Sequence, residues 1–194
     1  MSSGNVVVAV VVLLILARWA VQLWLEQLNR RHVLSHGSLP EAFKEVVDEA
    51  TYARSAAYTL ARGRLEQIGA TWNSAVLLAV VLSLVLPRVF HGFTQWLGGS
   101  GWASAAFLLG MGVVLSLPGL PLDWYEQFRL EERFGFNTTT QGIWWLDRLK
   151  GLIVTVVLGY PLLVLVLKLV EWTGARWWLW AWAALVVFQL LMLV

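Results

Sequence analysis

Two adjacent carboxylates, Glu131 and Glu132, stand in the most polar stretch of an otherwise apolar chain, Tyr125 to Thr139. Paired carboxylates can divide acid and base duties when their surroundings separate their proton affinities. Neighbours on a helix point about 100° apart, so this pair reads instead as two separate surface or capping groups. A glutamate-dependent protease site of the form Glu-Glu-x-x-x-Arg would need arginine at the sixth position, where Phe136 stands. Gly98-Gly99-Ser100-Gly101 has the Gly-x-Ser-Gly form of an intramembrane serine nucleophile. No histidine follows His91 to serve as its base, so the stretch reads as a small-residue turn between two apolar runs. His32 and His36 are four apart, the spacing at which a helix offers two imidazoles to one metal. Ser35, Gly37 and Pro40 argue for a loop there, and no nearby acid completes a His-Glu-x-x-His motif. The residues at hand therefore name no catalytic group and no metal ligand.

Composition says what must position these residues. Of 194 residues, 59% are hydrophobic and 13% charged, against about 45–50% and about 25% in a soluble domain. This is an integral membrane protein. Without cysteine there are no disulfides, thiolate metal sites or Cys nucleophiles. A net charge of +2, with no long Lys/Arg run, gives no reason to expect a nucleic-acid partner. Met1 to Asn5 hold no basic residue, so the first apolar run does not read as a cleaved signal peptide.

A spanning helix needs about 20 mostly apolar residues, and the chain offers five such runs, at roughly 5–25, 72–91, 102–121, 149–170 and 175–194. The fold expected is all-α, a single polytopic membrane domain over 1–194 with an added amphipathic helix. Trp24, Trp72, Trp96, Trp102, Trp124, Trp144, Trp145, Trp172, Trp177 and Trp178 mark the run ends, where an indole ring prefers the headgroup layer. The connections 26–71 and 122–148, with the start of the fourth run, hold ten Lys or Arg residues, and the two short connections, counted with the run ends beside them, hold only Arg88 and Arg176. The positive-inside rule then places the long connections in the cytoplasm and the N-terminus outside. On that orientation the sequon Asn137-Thr138-Thr139 faces the cytoplasm and stays unmodified. Arg18 and Lys168 lie inside apolar runs. Arg18 is a candidate for lining a water-filled chamber or for snorkelling, and Lys168 for snorkelling.

Ser38-Leu39-Pro40-Glu41 has the form of a capping box, and apolar residues recur at helical spacing from Leu39 to Ile68. The pattern predicts an amphipathic cytoplasmic helix of about thirty residues that extends the second span. Pro118-Gly119-Leu120-Pro121 predicts a break, after which Asp123 caps a short helix. Gly135 suits its left-handed end, and Asn137 or a following Thr caps the next helix. The polar stretch is thus a helix–turn–helix corner at the membrane surface.

Glu131-Glu132-Arg133-Phe134-Gly135-Phe136-Asn137-Thr138-Thr139, leading into Asp147-Arg148-Leu149-Lys150-Gly151, resembles a segment of the CAAX prenyl protease 1 family of integral-membrane zinc metallopeptidases. Ala53 to Arg62 is similar to the charged helix after that family's first span. The resemblance implies a ring of membrane helices around a water-filled chamber, zinc in the intact enzyme, and prenylated peptides or membrane proteins as substrates beside membrane lipids. The family's peptidase half carries His-Glu-x-x-His and a further Glu, which these residues lack. The bare apolar ending Leu190 to Val194 is expected to be a truncation, with the zinc half to follow on the cytoplasmic side. Glu131 to Thr139 then serve as a structural corner, and the chain alone is expected to be inactive. The alternative is a non-catalytic scaffold or transporter-like subunit that shares the corner.

Overall fold

The computed structural model describes residues 3–36, 48–83 and 85–192, and among these every regular element is a helix. The capping box at 38–41, and with it Phe43, Lys44, Glu45 and Val46, lies outside the described residues. Four helical stretches are long and apolar enough to cross a membrane: Gly4–Ser35, Glu49–Leu82, Gly101–Phe134 and Gln141–Met192. The last has 52 residues, enough for two crossings of about 20. The chain divides into two compact units, Met1–Leu86 with Ser116–Thr139, and Pro87–Leu115 with Thr140–Val194.

The first unit is built on α1 (Ser3–Ser35) and α2 (Glu49–Leu82), of 33 and 34 residues. At 1.5 Å per residue each is about 50 Å long, against about 30 Å of hydrocarbon, so both run well past the bilayer. They lie antiparallel, tied by Trp19 Nε1 donating to Thr71 Oγ1 at 3.1 Å and by Tyr52 Oη donating to the His36 carbonyl at 2.7 Å. Between these ties buried Gly63 lets the helices close in, since a Cβ there would collide with the Glu26 carboxylate.

Two local expectations change here. His32 lies on α1, which continues to Ser35, so the stretch is helix and not loop. Ser35 and His36 bond back to the His32 carbonyl and so finish the helix themselves. Of the helical stripe predicted from Leu39 to Ile68, the described part starts a helix at Glu49, after Asp48, whose backbone is extended (φ −77°, ψ 156°) and whose side chain accepts the Thr51 N–H at 3.0 Å. That cap satisfies a donor at the helix start and holds the Asp48 carboxyl below the usual carboxylate range. From there α2 does continue unbroken from the charged stretch into the apolar one.

The run at 72–91 is not one helix either. α2 stops at Leu82, and α3 (Val85–Leu97) begins two residues after Ser83. Ser83 bonds its hydroxyl to the Val80 carbonyl, and Pro87 then falls in the first turn of α3, where its missing N–H costs nothing. Gly98 (φ 80°) ends α3, and Ser100 accepts the Ala103 N–H at 3.3 Å to start α4 (Gly101–Ser116). The Gly-x-Ser-Gly stretch is therefore a turn with a cap.

The Pro118–Pro121 segment also departs from expectation, because the chain stays helical through it. A 3₁₀ turn, Leu117–Gly119, leads directly into α5 (Leu120–Tyr125), a π-helical turn (Glu126–Glu131) and the single turn α6 (Glu132–Phe134). Pro121 has no N–H for the Leu117 carbonyl, so the Leu120 N–H takes it one residue early. The Trp72 indole donates to the Pro118 carbonyl at 2.8 Å. Asp123 is therefore not the residue that starts the helix; it lies in the first turn of a helix already running.

In the second unit α7 (Gln141–Val154) is capped by Thr140, passes through a π-helical turn (Thr155–Gly159) and becomes α8 (Tyr160–Thr173). The wider turn falls just before Pro161, whose ring would crowd an α-helical carbonyl. α8 and α9 (Trp177–Met192) pack together on either side of Gly174 (φ 53°). Ala103, Ala105 and Phe107 of α4 are buried, and Phe107 packs on the rings of Phe90 and Phe93 at 5.0 and 5.4 Å. Lys168 is paired with Glu171 at 2.7 Å, one helical turn away.

Candidate functional site

The polar corner is assembled on α2. Gly135 ends α6 in the left-handed region (φ 78°, ψ 21°), where a side chain would be strained. The chain reverses there, and the Phe136 and Asn137 N–H groups both reach the Glu131 carbonyl, at 2.9 and 3.3 Å. Asn137 then locks the exit: its Oδ1 accepts from the Thr139 N–H at 2.8 Å and from Gln127 Nε2 at 2.7 Å. Thr140, the residue after the motif, accepts the Ile143 N–H and starts α7. Phe128 and Leu130 are buried beneath the turn.

The two glutamates part company. Glu131 accepts the hydroxyl of Tyr58 on α2, whereas Glu132 is exposed. The Tyr58 ring also sits edge-on to Phe134 and Phe136, with centroids 5.3 and 4.9 Å away. Arg54 donates to the Phe134 carbonyl at 2.6 Å and so occupies a carbonyl left over at the helix end. Arg62 donates to Tyr58 Oη (3.2 Å) and Glu66 (3.1 Å), and approaches Glu126 at 3.7 Å. These ion pairs are half exposed, which limits each to about 0.5 kcal/mol. Arg133 stacks near Phe134, and Arg129 near Trp124, both at 5.8 Å. No sequence signal pointed to Tyr58, Arg54 or Arg62 as partners of the corner.

Beside the corner lies a cleft of about 550 Å³ between α1, α2 and the segment 119–126. Its apolar end is lined by Val11, Leu14, Ile15 and Leu77, its middle by Arg18, Gln22, Asn73 and Ser74, and its other end by Glu66, Asp123 and Glu126. Arg18 therefore faces a polar hollow within an apolar run. A lone guanidinium on the lipid side at mid-bilayer would cost about 2.5–3.5 kcal/mol, so this placement matters. His32 and His36 stack at 4.3 Å, with His36 Nδ1 held to the His32 carbonyl. Among the described residues no group of three His, Cys, Asp or Glu side chains is gathered to hold a metal.

Comparison with known proteins gives concordant matches. A family described as CAAX prenyl protease N-terminal, five membrane helices, matches residues 29–194. The chain is 31% identical to CAAX prenyl protease 1 of Saccharomyces cerevisiae over 148 residues, 71% of this chain and 33% of that protein. It is 26% identical to the human CAAX prenyl protease 1 homolog, over 92% of this chain and 40% of the other. The crystal structure of Saccharomyces mikatae Ste24p superposes with a TM-score of 0.86 at 24% identity, covering 99% of this chain and 45% of that one. At that identity the likeness is one of fold. The chain spans 33% and 40% of the length of these two curated relatives.

Proposed function

This chain belongs to the family of CAAX prenyl protease N-terminal membrane domains, and from that premise we propose that it forms the wall of an intramembrane chamber serving a zinc metalloendopeptidase. The chamber admits prenylated peptides or membrane-protein substrates to a zinc-binding half of the same protein, and without that half the chain is inactive. In this reading the chain crosses the bilayer five times, in the apolar runs at about 5–25, 72–91, 102–121, 149–170 and 175–194, the second of them interrupted at Ser83, with the N-terminus outside and both long connections in the cytoplasm. The motif residues Glu131 to Thr139 act there as a structural elbow.

The observation that carries this reading is the cleft. Arg18, Gln22, Asn73 and Ser74 face a hollow although α1 and α2 are apolar enough to span. Polar side chains at such depth are stable when they face water or protein rather than lipid. Catalysis would come from elsewhere, since the sequence has no His-Glu-x-x-His and the described residues gather no metal-binding group. The part played by these residues is to shape the hollow and to hold α2 against the elbow.

The absence of cysteine makes the test clean. In lipid bilayers, Asn73→Cys is expected to react with a membrane-impermeant thiol reagent. Leu13→Cys, on an exposed apolar position of α1 outside the cleft lining, is expected not to react. Equal protection of both positions would leave the hollow dry, remove the chamber, and favour a scaffold.

A further inference from the structure

The cleft of the first unit is graded in both polarity and charge sign. Along α1, Val11, Leu14 and Ile15 give way to Arg18 and then Gln22. Along antiparallel α2, Leu77 gives way to Ser74 and Asn73, then to the small Ala70 and Gly69, and then to Glu66 beside Leu65. Arg18 has no ion pair among the described residues, although the cleft also holds Glu66, Asp123 and Glu126. Glu66 and Glu126 share one guanidinium, that of Arg62. A net negative end is therefore left about two helical turns beyond a free positive charge, with an apolar wall on the far side of that charge.

A ligand that satisfies all three features has a hydrocarbon tail, then a phosphate, then an ammonium group. We propose that this cleft is a binding site for a bilayer aminophospholipid of the phosphatidylethanolamine type. Its phosphate sits on the Arg18 guanidinium, where the planar fork can donate two bonds. Its ammonium, with three donors, turns toward Glu66 and Glu126. Its acyl chains start along Val11, Leu14, Ile15 and Leu77. About 550 Å³ holds a headgroup and the first part of the chains. An anionic lipid without an amine would leave the Glu66–Glu126 end uncompensated, and a quaternary amine could not donate hydrogen bonds to it. The inference does not rest on the chamber reading, because it uses only the cleft's own charges.

The test is lipid retention by the chain in nanodiscs of equal parts phosphatidylethanolamine, phosphatidylglycerol and phosphatidylcholine, released and weighed by native mass spectrometry. The wild-type chain is expected to keep phosphatidylethanolamine preferentially. Arg18→Gln is expected to lower that retention about tenfold, the loss of one charge-assisted contact. Arg18→Lys should fall between the two, and Glu66→Gln should weaken phosphatidylethanolamine more than phosphatidylglycerol. Arg64→Gln, exposed on α2 away from the cleft lining, should change nothing. Equal retention of phosphatidylglycerol would mean a general anion site, and equal retention of phosphatidylcholine would mean annular lipid. Either result, or an Arg18→Gln chain that keeps its lipid, overturns the proposal. Labelling of Asn73→Cys in detergent stripped of phospholipid reads the chamber separately, because a bound lipid would cover that position, so the two ideas can fail independently.

Discussion

The elbow of the first unit and the helix packing of the second hold helices together by different means. Around Gly135, directional bonds do the joining: Tyr58 to Glu131, Arg54 to the Phe134 carbonyl, Asn137 to Gln127 and Thr139. In the second unit the joints are shapes. Ala105 is fully enclosed, Phe107 fits between Phe90 and Phe93, and a Cβ on Gly159 would meet Leu109 at 3.5 Å. The contrast has a solvent origin. Lipid tails are as apolar as leucine, so burial alone cannot choose one helix partner over another, and small residues and close packing decide. Where the chain turns back at a helix end, orphan carbonyls and amides need named partners, and bonds of fixed direction set the geometry.

That contrast can be broken in order of effect. Phe107→Ala should be the most damaging, about 3 kcal/mol from the void left beside Phe90 and Phe93, read as a lowered unfolding midpoint in mild detergent. A loss too small to measure would mean that ring packing does not hold the second unit. Gly135→Val should cost about 2 kcal/mol, because a β-branched residue is strained at φ 78° and its Cβ would press on the Arg54 guanidinium 3.3 Å away. Proteolysis between Phe134 and Thr140 should then become faster; unchanged cleavage would show that the elbow tolerates another turn. Tyr58→Phe should cost about 1 kcal/mol by stranding the Glu131 carboxylate. Its effect should shrink with added salt, as charged partners are screened, while that of Phe107→Ala should not. If both respond alike to salt, the division between bonded and packed regions is wrong.

Local chemistry was legible in the chain. Gly135 was readable as a left-handed helix end because few other residues tolerate positive φ, and a threonine after Asn137 was readable as a cap; the cap is Thr140. Local reading failed where proline had two outcomes. Pro118 and Pro121 pointed to a break, yet a 3₁₀ turn absorbs both and the helix continues, with Trp72 bonding the Pro118 carbonyl from 46 residues away. The apolar run at 72–91 hid its interruption because Ser83 and Pro87 barely alter hydropathy. His32 was misread as loop for the opposite reason. Gly37 and Pro40, the residue types that suggested a loop, come after the last residue of α1, and the helix closes itself through Ser35 and His36.

Composition and the motif at 131–139 were enough to establish a helical membrane protein and its family, because apolar run length and a specific nine-residue string are properties of the chain itself. Which glutamate Tyr58 engages, how Arg18 and Arg62 differ in partners among the described residues and where the cleft opens were decided only in three dimensions. Glu131 and Glu132 are equivalent as letters, and what separates them is Tyr58, 73 residues earlier. Arg18 and Arg62 are equally charged, yet Arg62 lies within reach of Glu66 and Glu126 and Arg18 does not. Helix propensity and hydropathy act within a few turns. The choice of partner depends on where two helices cross, and a buried glycine at 63, closing α2 onto α1, sets that crossing.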